Sequence, residues 1–336
     1  MKVAILSPVA WRTPPLKYGP WEQVASNVAE GMVELGVDVT LFATADSQTG
    51  GKLKAIVPGG YEETPGAEAK VFECLHISFL MEQAGDFDLI HNHFDFLPLT
   101  YSRLIRTPIL TTIHGFSSPA IVPVFKRYND VCRYVSISNA DRHPDLDYVA
   151  TVYNGIDTRH FTFQEKPQEY LLYFGRIHHD KGAWEAIQIA KKCRLPLIIS
   201  GLIQDANYYR EKVEPHLDGE QIKYVGNSGP EQRDALLGGA LALLHPINFK
   251  EPFGLSVAEA MLCGTPVIAF NKGSMPELIK QGETGFLVND VEEAVEAVRQ
   301  VATLRREECR CHALANFSKE KMVADYLKVY QKVLAR

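Results

Sequence analysis

The sequence predicts an α/β protein built from two doubly wound domains with parallel sheets. Three observations predict this class. The chain has 336 residues, which is enough for two separate cores. Apolar runs of strand length alternate with helical patterns from end to end. A polar stretch at 164–169 contains Pro167 and no other apolar residue, which is typical of a linker. We therefore expect a first domain over 1–164, a second over 165–315, and a terminal segment over 316–336.

The first predicted domain opens with a strand at 3–7 and a helix at 21–35. Val24, Val28, Met32 and Leu35 recur at helical spacing, and Gly36 stops the helix. A second strand follows immediately. The strands predicted after the helix are 37–43, 89–93, 109–114, 134–138 and 151–153.

The second predicted domain repeats this alternation, with helices between its strands. Its strands are expected at 171–174, 197–200, 222–225, 242–245 and 267–270. A final helix at 318–334 carries apolar residues on one stripe. No G-x-G-x-x-G motif follows the first strand, where a dinucleotide-binding fold would carry it.

Composition excludes several classes of function. The chain is 46% apolar and 23% charged, with a formal net charge of −6, which gives no reason to expect a nucleic-acid partner. Its first residues, MKVAILSPVAW, lack the h-region and cleavage pattern of a signal peptide. No apolar stretch is long enough for a transmembrane segment, and we expect a cytoplasmic protein.

Cysteine and histidine spacing predicts no metal site. The six cysteines are scattered, without the spacing of a zinc site or a redox pair. His91 with His93, and His178 with His179, are possible ligands. A strand places His91 and His93 on one face, but the sequence fixes no partner carboxylate for them. We expect structural or substrate-facing roles for these histidines and no bound metal.

The most informative segment is EPFGLSVAEAMLCGTPVIAF, in which Glu251 and Glu259 stand eight residues apart. Pro252 is expected at the first helical position, with the helix running to Gly264. Unpaired amides near Phe253, Gly254 and Leu255 would then suit a diphosphate, and Gly254 would allow its close approach. One carboxylate would reach sugar hydroxyls and the other a ribose diol. The alternative is an ordinary amphipathic helix with two solvated glutamates.

This segment resembles the signature of the retaining glycosyltransferases of family 4. The resemblance continues through 264–267 (GTPV), 273–277 (GSMPE) and 285–288 (GFLV). Upstream, 173–176 (YFGR) followed by Lys181-Gly182 resembles that family's donor-phosphate motif, and 154–157 (NGID) the element that closes its first domain. The resemblance implies a GT-B architecture, in which two Rossmann-like domains face each other across a cleft. The first domain would serve the acceptor, the second would bind the donor, and the terminal helix would cross back to the first.

The resemblance also implies roles for individual residues. Arg176 and Lys181 would contact the donor diphosphate, with Gly175 beside them; the alternative is an exposed basic pair on a surface turn. His114 would contact the donor sugar or its reacting centre; the alternative is a core histidine. Glu251 would orient sugar hydroxyls and Glu259 the ribose.

The loop at 18–21 departs from the family pattern. The family has Gly-Gly where this chain has Gly19-Pro20, and proline removes one amide that could bind phosphate. Gly19 would still allow close approach of the donor. Trp11, Tyr18 and Trp21 are candidates for stacking on an acceptor, although Trp21 is equally consistent with the first core residue of its helix.

Together these features predict a retaining, metal-independent hexosyltransferase with no cofactor. Its expected donor is a nucleoside diphosphate sugar, by default UDP-glucose or a related donor, and the sequence does not indicate the acceptor. Two alternatives stay open. One is a sugar-nucleotide epimerase on the same fold, and the other is a non-catalytic regulatory protein that binds nucleotide sugars.

Overall fold

A computed structural model describes residues 1–335 of the chain. The chain divides into two compact units. The first comprises Met1–Gly155 together with the segment that starts at Lys319, and the second is Ile156–Ser318. Each unit is built around its own parallel sheet.

The first unit holds a seven-stranded parallel sheet in the order β3-β2-β1-β4-β5-β6-β7. Its strands are β1 (Lys2–Leu6), β2 (Asp38–Phe42), β3 (Lys52–Lys54), β4 (Leu89–Asn92), β5 (Ile109–Ile113), β6 (Arg133–Ser136) and β7 (Tyr148–Thr151). Its helices are α1 (Pro20–Glu34), α2 (Ala69–Met81), α3 (Val122–Arg127) and the terminal α11 (Lys319–Leu334).

The second unit holds a six-stranded parallel sheet in the order β10-β9-β8-β11-β12-β13. Its strands are β8 (Leu171–Phe174), β9 (Leu197–Ser200), β10 (Ile222–Tyr224), β11 (Ala242–His245), β12 (Val267–Phe270) and β13 (Gly285–Val288). Its helices are α4 (Ala183–Cys193), α5 (Ala206–Tyr208), α6 (Pro230–Gly239), α7 (Leu255–Leu262), α8 (Met275–Leu278), α9 (Val291–Gln300) and α10 (Arg306–Phe317).

Both sheets reverse their winding direction at one place. In the first unit the reversal falls between β1 and β4, and in the second between β8 and β11. Loops that leave the carboxyl ends of two such strands diverge to opposite faces of the sheet and leave a crevice, where open α/β sheets bind ligands. The topology therefore marks the loops after β1 and β4, and those after β8 and β11, as candidate binding positions.

Close packing attaches the terminal helix to the first unit. A Cβ added at Gly31 of α1 would lie 2.3 Å from Val323 Cγ2 of α11, so glycine lets the two helices approach. Lys319 Nζ donates to Glu34 Oε1 at 2.9 Å. Tyr326 and Tyr330 are fully buried. The helix belongs to the core of the first unit.

The predicted α/β class with two parallel sheets is confirmed, with local differences. The units divide at Ile156 rather than at 165. Ile156 N donates to Phe317 O at 2.8 Å, and Gln164 N donates to Cys263 O at 3.0 Å. These two hydrogen bonds hold the predicted linker within the second unit. The strand expected at 151–153 runs over Tyr148–Thr151 instead, where Tyr148, Ala150 and Thr151 pair with β6. The strands β3 and β13 have no counterpart in the predictions.

Within residues 1–335, no helix combines the length and the apolar character required to cross a membrane.

Candidate active site

A buried ion pair joins the loops that follow β8 and β11. The Lys181 ammonium contacts Glu251 Oε2, and the two side chains are only 14% and 11% exposed. His245 Nε2 lies 3.7 Å from the same oxygen, and Lys181 Nζ lies 4.6 Å from the centroid of the Phe249 ring. Burial acts to raise the pKa of Glu251, but the Lys181 charge and the His245 contact outweigh it and lower that pKa to about 2. Glu251 is therefore a carboxylate at neutral pH.

Backbone contacts between the two loops position this pair. Gly182 has φ +76°, and a Cβ there would lie 1.9 Å from Pro246 O, so only glycine lets the turn carrying Lys181 pack against the loop after β11. Asn248 N donates to Asp180 O at 2.7 Å. Each loop fixes the other, which brings together two side chains that are 70 residues apart in sequence.

The segment after Glu251 does not enter a helix at Pro252, so that prediction is wrong. Helix α7 begins at Leu255, because Gly254 has φ +99°, outside the helical region. A Cβ at Gly254 would also lie 2.8 Å from Met275 Cε. Ser274 holds the preceding residues, since its N donates to Glu251 O at 2.9 Å and its Oγ donates to Phe253 O at 2.6 Å. The unpaired amides of the helix therefore start at Leu255 and not at Phe253.

Glu259 lies inside α7 and has a partner that the sequence did not indicate. Its Oε1 accepts from Arg233 Nη1 at 3.2 Å, and the two side chains are 8% and 20% exposed. The Arg233 guanidinium lies 5.5 Å from the centroid of the Phe161 ring. Glu259 is therefore a buried, paired carboxylate and not a solvated one.

Arg176 lies in the turn after β8 with a partner of its own. Its Nη1 contacts Gln204 Oε1, and Tyr173 OH donates to its carbonyl at 2.7 Å. The turn is tightly packed, because a Cβ at Gly201 would lie 1.8 Å from Gly175 O. Arg176 and Lys181 thus contact different partners, Gln204 and Glu251. Their convergence on one diphosphate stays a prediction.

In the first unit, His114 follows β5 and lies between an indole and a second histidine. Trp21, the second residue of α1, stacks on it with ring centroids 5.5 Å apart and an interplanar angle of 20°. His93 Nδ1 lies 2.9 Å from His114 Nε2. Burial lowers the pKa of His114 to about 3 and that of His93 well below its usual range, so both rings are neutral.

The contact between the two neutral rings constrains where their protons lie. One proton must stand between His93 Nδ1 and His114 Nε2. The other nitrogen of His93, Nε2, is buried and has no hydrogen-bond partner among residues 1–335. An unpaired buried N–H is costly, which favours the proton of His93 on Nδ1. His114 then accepts at Nε2 and carries its own proton on Nδ1, as a hydrogen-bond donor.

A hydrogen-bonded chain supports these histidines from the terminal helix. His91 Nδ1 lies 2.6 Å from Tyr330 OH, and its Nε2 lies 2.8 Å from Thr112 Oγ1. Thr112 Oγ1 in turn lies 2.7 Å from Tyr326 OH. The rings of His91 and His93 are in contact, with centroids 4.1 Å apart. Helix α11 therefore holds His91 in place, and His91 packs against His93, the partner of His114.

The loop that leads into α1 places Trp11 beside a buried acid of that helix. The rings of Trp11 and Tyr18 meet edge to face, with centroids 6.1 Å apart. Gly19 has φ +150°, and a Cβ there would lie 2.8 Å from Pro15 Cβ. Glu22 Oε1 accepts from Trp11 N at 3.2 Å, and burial raises the pKa of this carboxyl from 4.5 to about 7. Pro20 occupies the first position of α1, where a missing N–H costs the helix nothing.

Sequence reasoning missed His245, Arg233, His93 as a partner of His114, and Glu22. His245 ends a predicted strand that neighbours β8, and this position was an available signal for it. Arg233 and Glu22 lie on ordinary helical patterns, where a charged residue has no feature that predicts burial.

Two family models match the chain. Residues 156–321 match the model described as glycosyl transferases group 1, and residues 21–160 match that of glycosyltransferase family 4. A glycogen synthase of Mycobacterium tuberculosis is 31% identical over 170 residues, which is 47% of this chain and 41% of that enzyme's length. The N-acetyl-alpha-D-glucosaminyl L-malate synthase of Bacillus anthracis is 26% identical over 293 residues, 75% of this chain and 76% of that enzyme.

Among solved structures, the Anabaena protein HepE in complex with UDP and glucose superposes with a TM-score of 0.78 at 17% identity, covering 98% of this chain and 99% of that one. At this identity the likeness shows a common fold.

Proposed function

Because the chain belongs to the family 4 glycosyltransferases and has their GT-B fold, we propose that it transfers a hexose from a nucleoside diphosphate sugar to an acceptor, with retention of anomeric configuration. UDP-glucose is the default donor, since HepE was solved with UDP and glucose. The acceptor is left open, because the chain spans less than half of the glycogen synthase it matches.

The Lys181–Glu251 pair carries this proposal. It lies on the loops after β8 and β11, at the point where the second sheet reverses its winding, which is where ligands of such sheets bind. Breaking the bond between a sugar and a diphosphate leaves negative charge on the phosphate, and a cation fixed in a mostly buried position stabilises that charge well. A buried ammonium held by a carboxylate at this position is therefore suited to the chemistry.

The proposed reaction needs no paired catalytic carboxylates. The acceptor oxygen bonds to the anomeric carbon while the bond from that carbon to the diphosphate oxygen breaks, and the bonding electrons leave with the phosphate. The acceptor's proton passes to the leaving phosphate on the same face of the sugar. Lys181 and Arg176 would stabilise the departing charge, Glu251 would orient sugar hydroxyls, and Glu259 the ribose. On the first unit, His114 would donate a hydrogen bond from its Nδ1–H to an oxygen of the donor.

Two other readings remain possible outcomes of a test. An epimerase would convert the donor to an isomeric sugar nucleotide without an acceptor. A regulatory protein would bind the donor and leave it unchanged. The Lys181–Glu251 pair is compatible with all three functions, because a group that binds a diphosphate does so with or without turnover.

One experiment separates the three readings. The protein is incubated with a panel of sugar nucleotides, with and without mixtures of sugar and polyol acceptors, and the products are followed by proton NMR. We expect acceptor-dependent release of nucleoside diphosphate and a product with the anomeric configuration of the donor. Isomerised donor would indicate the epimerase. Unchanged donor with every acceptor, together with a raised Tm, would indicate the regulatory protein.

A further inference from the structure

Two imidazoles and a carboxylate form a cluster on the second unit beside the turn that carries Arg176. His178 and His179 follow β8, and Asp205 immediately precedes α5. Ile177 and Ile203 pair across this region, which brings the two segments together. One potential ligand atom from each of the three residues lies within 4.8 Å of the others. The sequence places Asp180 directly after these histidines, and the fold adds Asp205 from the turn after β9.

Asp180 lies beside both imidazole rings. Its Oδ1 lies 3.0 Å from His179 Nε2, and its Oδ2 lies 3.3 Å from His178 Nδ1. His179 Nδ1 consequently faces Asp205 Oδ2, at 3.7 Å. Metal-binding histidines usually direct one ring nitrogen to a carboxylate, which fixes the ring and leaves the other nitrogen for the metal. Asp180 stands in this relation to His179, whereas His178 Nδ1 accepts from the backbone N of Asp180 at 3.3 Å.

Backbone amides orient the third side chain. Asp205 Oδ1 accepts from Asn207 N at 3.1 Å and from Tyr208 N at 3.0 Å. Those two contacts engage one oxygen and direct Oδ2 towards His179. The carboxylate is therefore fixed in position before any ion binds.

We propose that His178, His179 and Asp205 bind one transition-metal ion, with Zn²⁺ the best match. Ligand atoms on a tetrahedral zinc are about 3.3–3.6 Å apart, given metal–ligand distances of about 2.0–2.2 Å. The 3.7 Å between His179 and Asp205 is close to this value. The His179 side chain is 64% exposed, so an ion from solvent reaches its ring. Water would complete the coordination.

The donor set favours zinc, cobalt and nickel over magnesium. Imidazole nitrogen suits the later transition metals, whereas magnesium prefers oxygen ligands alone. The ion would join the turn after β8 to the turn after β9, across the contact between Arg176 and Gln204. It should therefore raise the Tm of the protein, whatever the outcome of tests on glycosyl transfer.

The test is a titration of the full chain, freed of metal, with Co²⁺ as a spectroscopic substitute for Zn²⁺. We expect saturable one-to-one binding, with the visible absorption of tetrahedral cobalt, and displacement by Zn²⁺ but not by Mg²⁺. His179→Ala should weaken binding at least tenfold. Asp180→Asn should weaken it by about 10–100-fold, as loss of an orienting carboxylate does. His160→Ala is the matched control, since His160 is also 64% exposed and lies 4.0 Å from a carboxylate, that of Asp157.

Three results would overturn the proposal. The first is the absence of saturable cobalt binding to the wild-type chain. The second is binding by His179→Ala that equals that of the wild type and of His160→Ala. The third is equal competition by Mg²⁺, which would indicate an oxygen site elsewhere on the protein.

Discussion

At the scale of single residues, Lys181 and Arg176 differ in what surrounds them. Lys181 is mostly buried and compensates a buried carboxylate, whereas Arg176 is half-buried and contacts a neutral amide. The alternative of an exposed basic pair on a surface turn does not hold for Lys181. The two residues should therefore respond differently to truncation, even though both are proposed to contact the diphosphate.

We expect Lys181→Ala to lower both stability and transfer, and Arg176→Ala to lower transfer alone. Removing Lys181 leaves Glu251 buried with only His245 beside it, which costs about 3 kcal/mol of unfolding free energy. Truncating Arg176 should change stability by less than about 0.5 kcal/mol. Either variant should slow transfer by about 10²–10³-fold. Urea unfolding and initial rates measure the two effects.

Lys192→Ala is the control for this pair of variants, because Lys192 is 48% exposed in a surface ion pair with Glu292. It should match the wild type in both measurements. Equal stability of Lys181→Ala and Lys192→Ala would mean that the buried pair is not structurally important.

Glu22 should make stability depend on pH near neutrality. Burial raises the pKa of its carboxyl to about 7 in the folded chain, from 4.5. Its contribution to stability is fully present below pH 4.5 and is lost as the pH rises through 7. The wild type should therefore lose up to about 3 kcal/mol of unfolding free energy between about pH 5 and 8 because Glu22 ionises. Glu22→Gln cannot ionise and should not show this loss. Urea unfolding at the two pH values tests this, with the exposed Glu165→Gln as control. Parallel pH profiles of wild type and Glu22→Gln would contradict it.

His93 should determine which nitrogen of His114 carries the proton. His93→Leu removes the donor to His114 Nε2, and His114 should then populate both tautomers, with kcat reduced about tenfold by the lost bond. His93→Asn places an amide near the former Nδ1 and should restore most of the rate. Imidazole ¹⁵N chemical shifts report the tautomer directly. Unchanged His114 shifts in His93→Leu would show that the contact does not set the tautomer.

At the scale of elements, the segment from Glu251 to Glu259 shows what sequence patterns can and cannot predict. The strands β8, β9, β11 and β12 lie at the predicted residues, because buried parallel strands read as short apolar runs. The start of α7 was not predictable, since Pro252 fits a first helical position equally well. The helix starts at Leu255 because Gly254 has a left-handed conformation and Ser274 holds the preceding residues. Ser274 lies in the loop after β12, outside this segment.

The same limit applies to the partners of the site residues. The signature around Glu251 marked both carboxylates, but their contacts with Arg233 and His245 became visible only with the fold. A contact between residues far apart in sequence leaves no local sequence pattern. A close approach of two backbone segments does leave one where it requires glycine, as at Gly182, which is part of the motif. The side chains were therefore predictable and their pairings were not.

Variants at the two ends of this segment should have different kinetic effects. Glu251→Gln should mainly lower kcat, because a charged acceptor strengthens hydrogen bonds to sugar hydroxyls as the sugar approaches an oxocarbenium-like state. Glu259→Gln should mainly raise the donor KM, since the ribose is remote from the reacting carbon. Steady-state kinetics with any acceptor that turns over measure both. If Glu251→Gln mainly raised KM and Glu259→Gln mainly lowered kcat, the sugar and the ribose of the donor would lie at the opposite ends of the segment.

At the scale of the whole molecule, transfer should proceed without a divalent metal. Lys181, Arg176 and the first amides of α7 are proposed to supply the positive charge that a metal supplies elsewhere. We expect EDTA to leave the initial rate unchanged, even though it would also remove an ion from the His178–His179–Asp205 cluster. Complete loss of activity, restored by Mn²⁺ or Mg²⁺, would contradict this.

The central claim is that the Lys181–Glu251 pair forms the site for the leaving diphosphate, and equilibrium binding of nucleotides tests it most directly. Calorimetric titration with UDP, GDP and ADP identifies the preferred base, and the matching free nucleoside then serves as a ligand without phosphate. We predict that Lys181→Met weakens binding of the diphosphate by about 10–100-fold, as loss of a charge-assisted contact does, and leaves nucleoside binding unchanged. Lys192→Met should bind both ligands as the wild type does. Equal affinity of the wild type and Lys181→Met for the diphosphate would contradict the account.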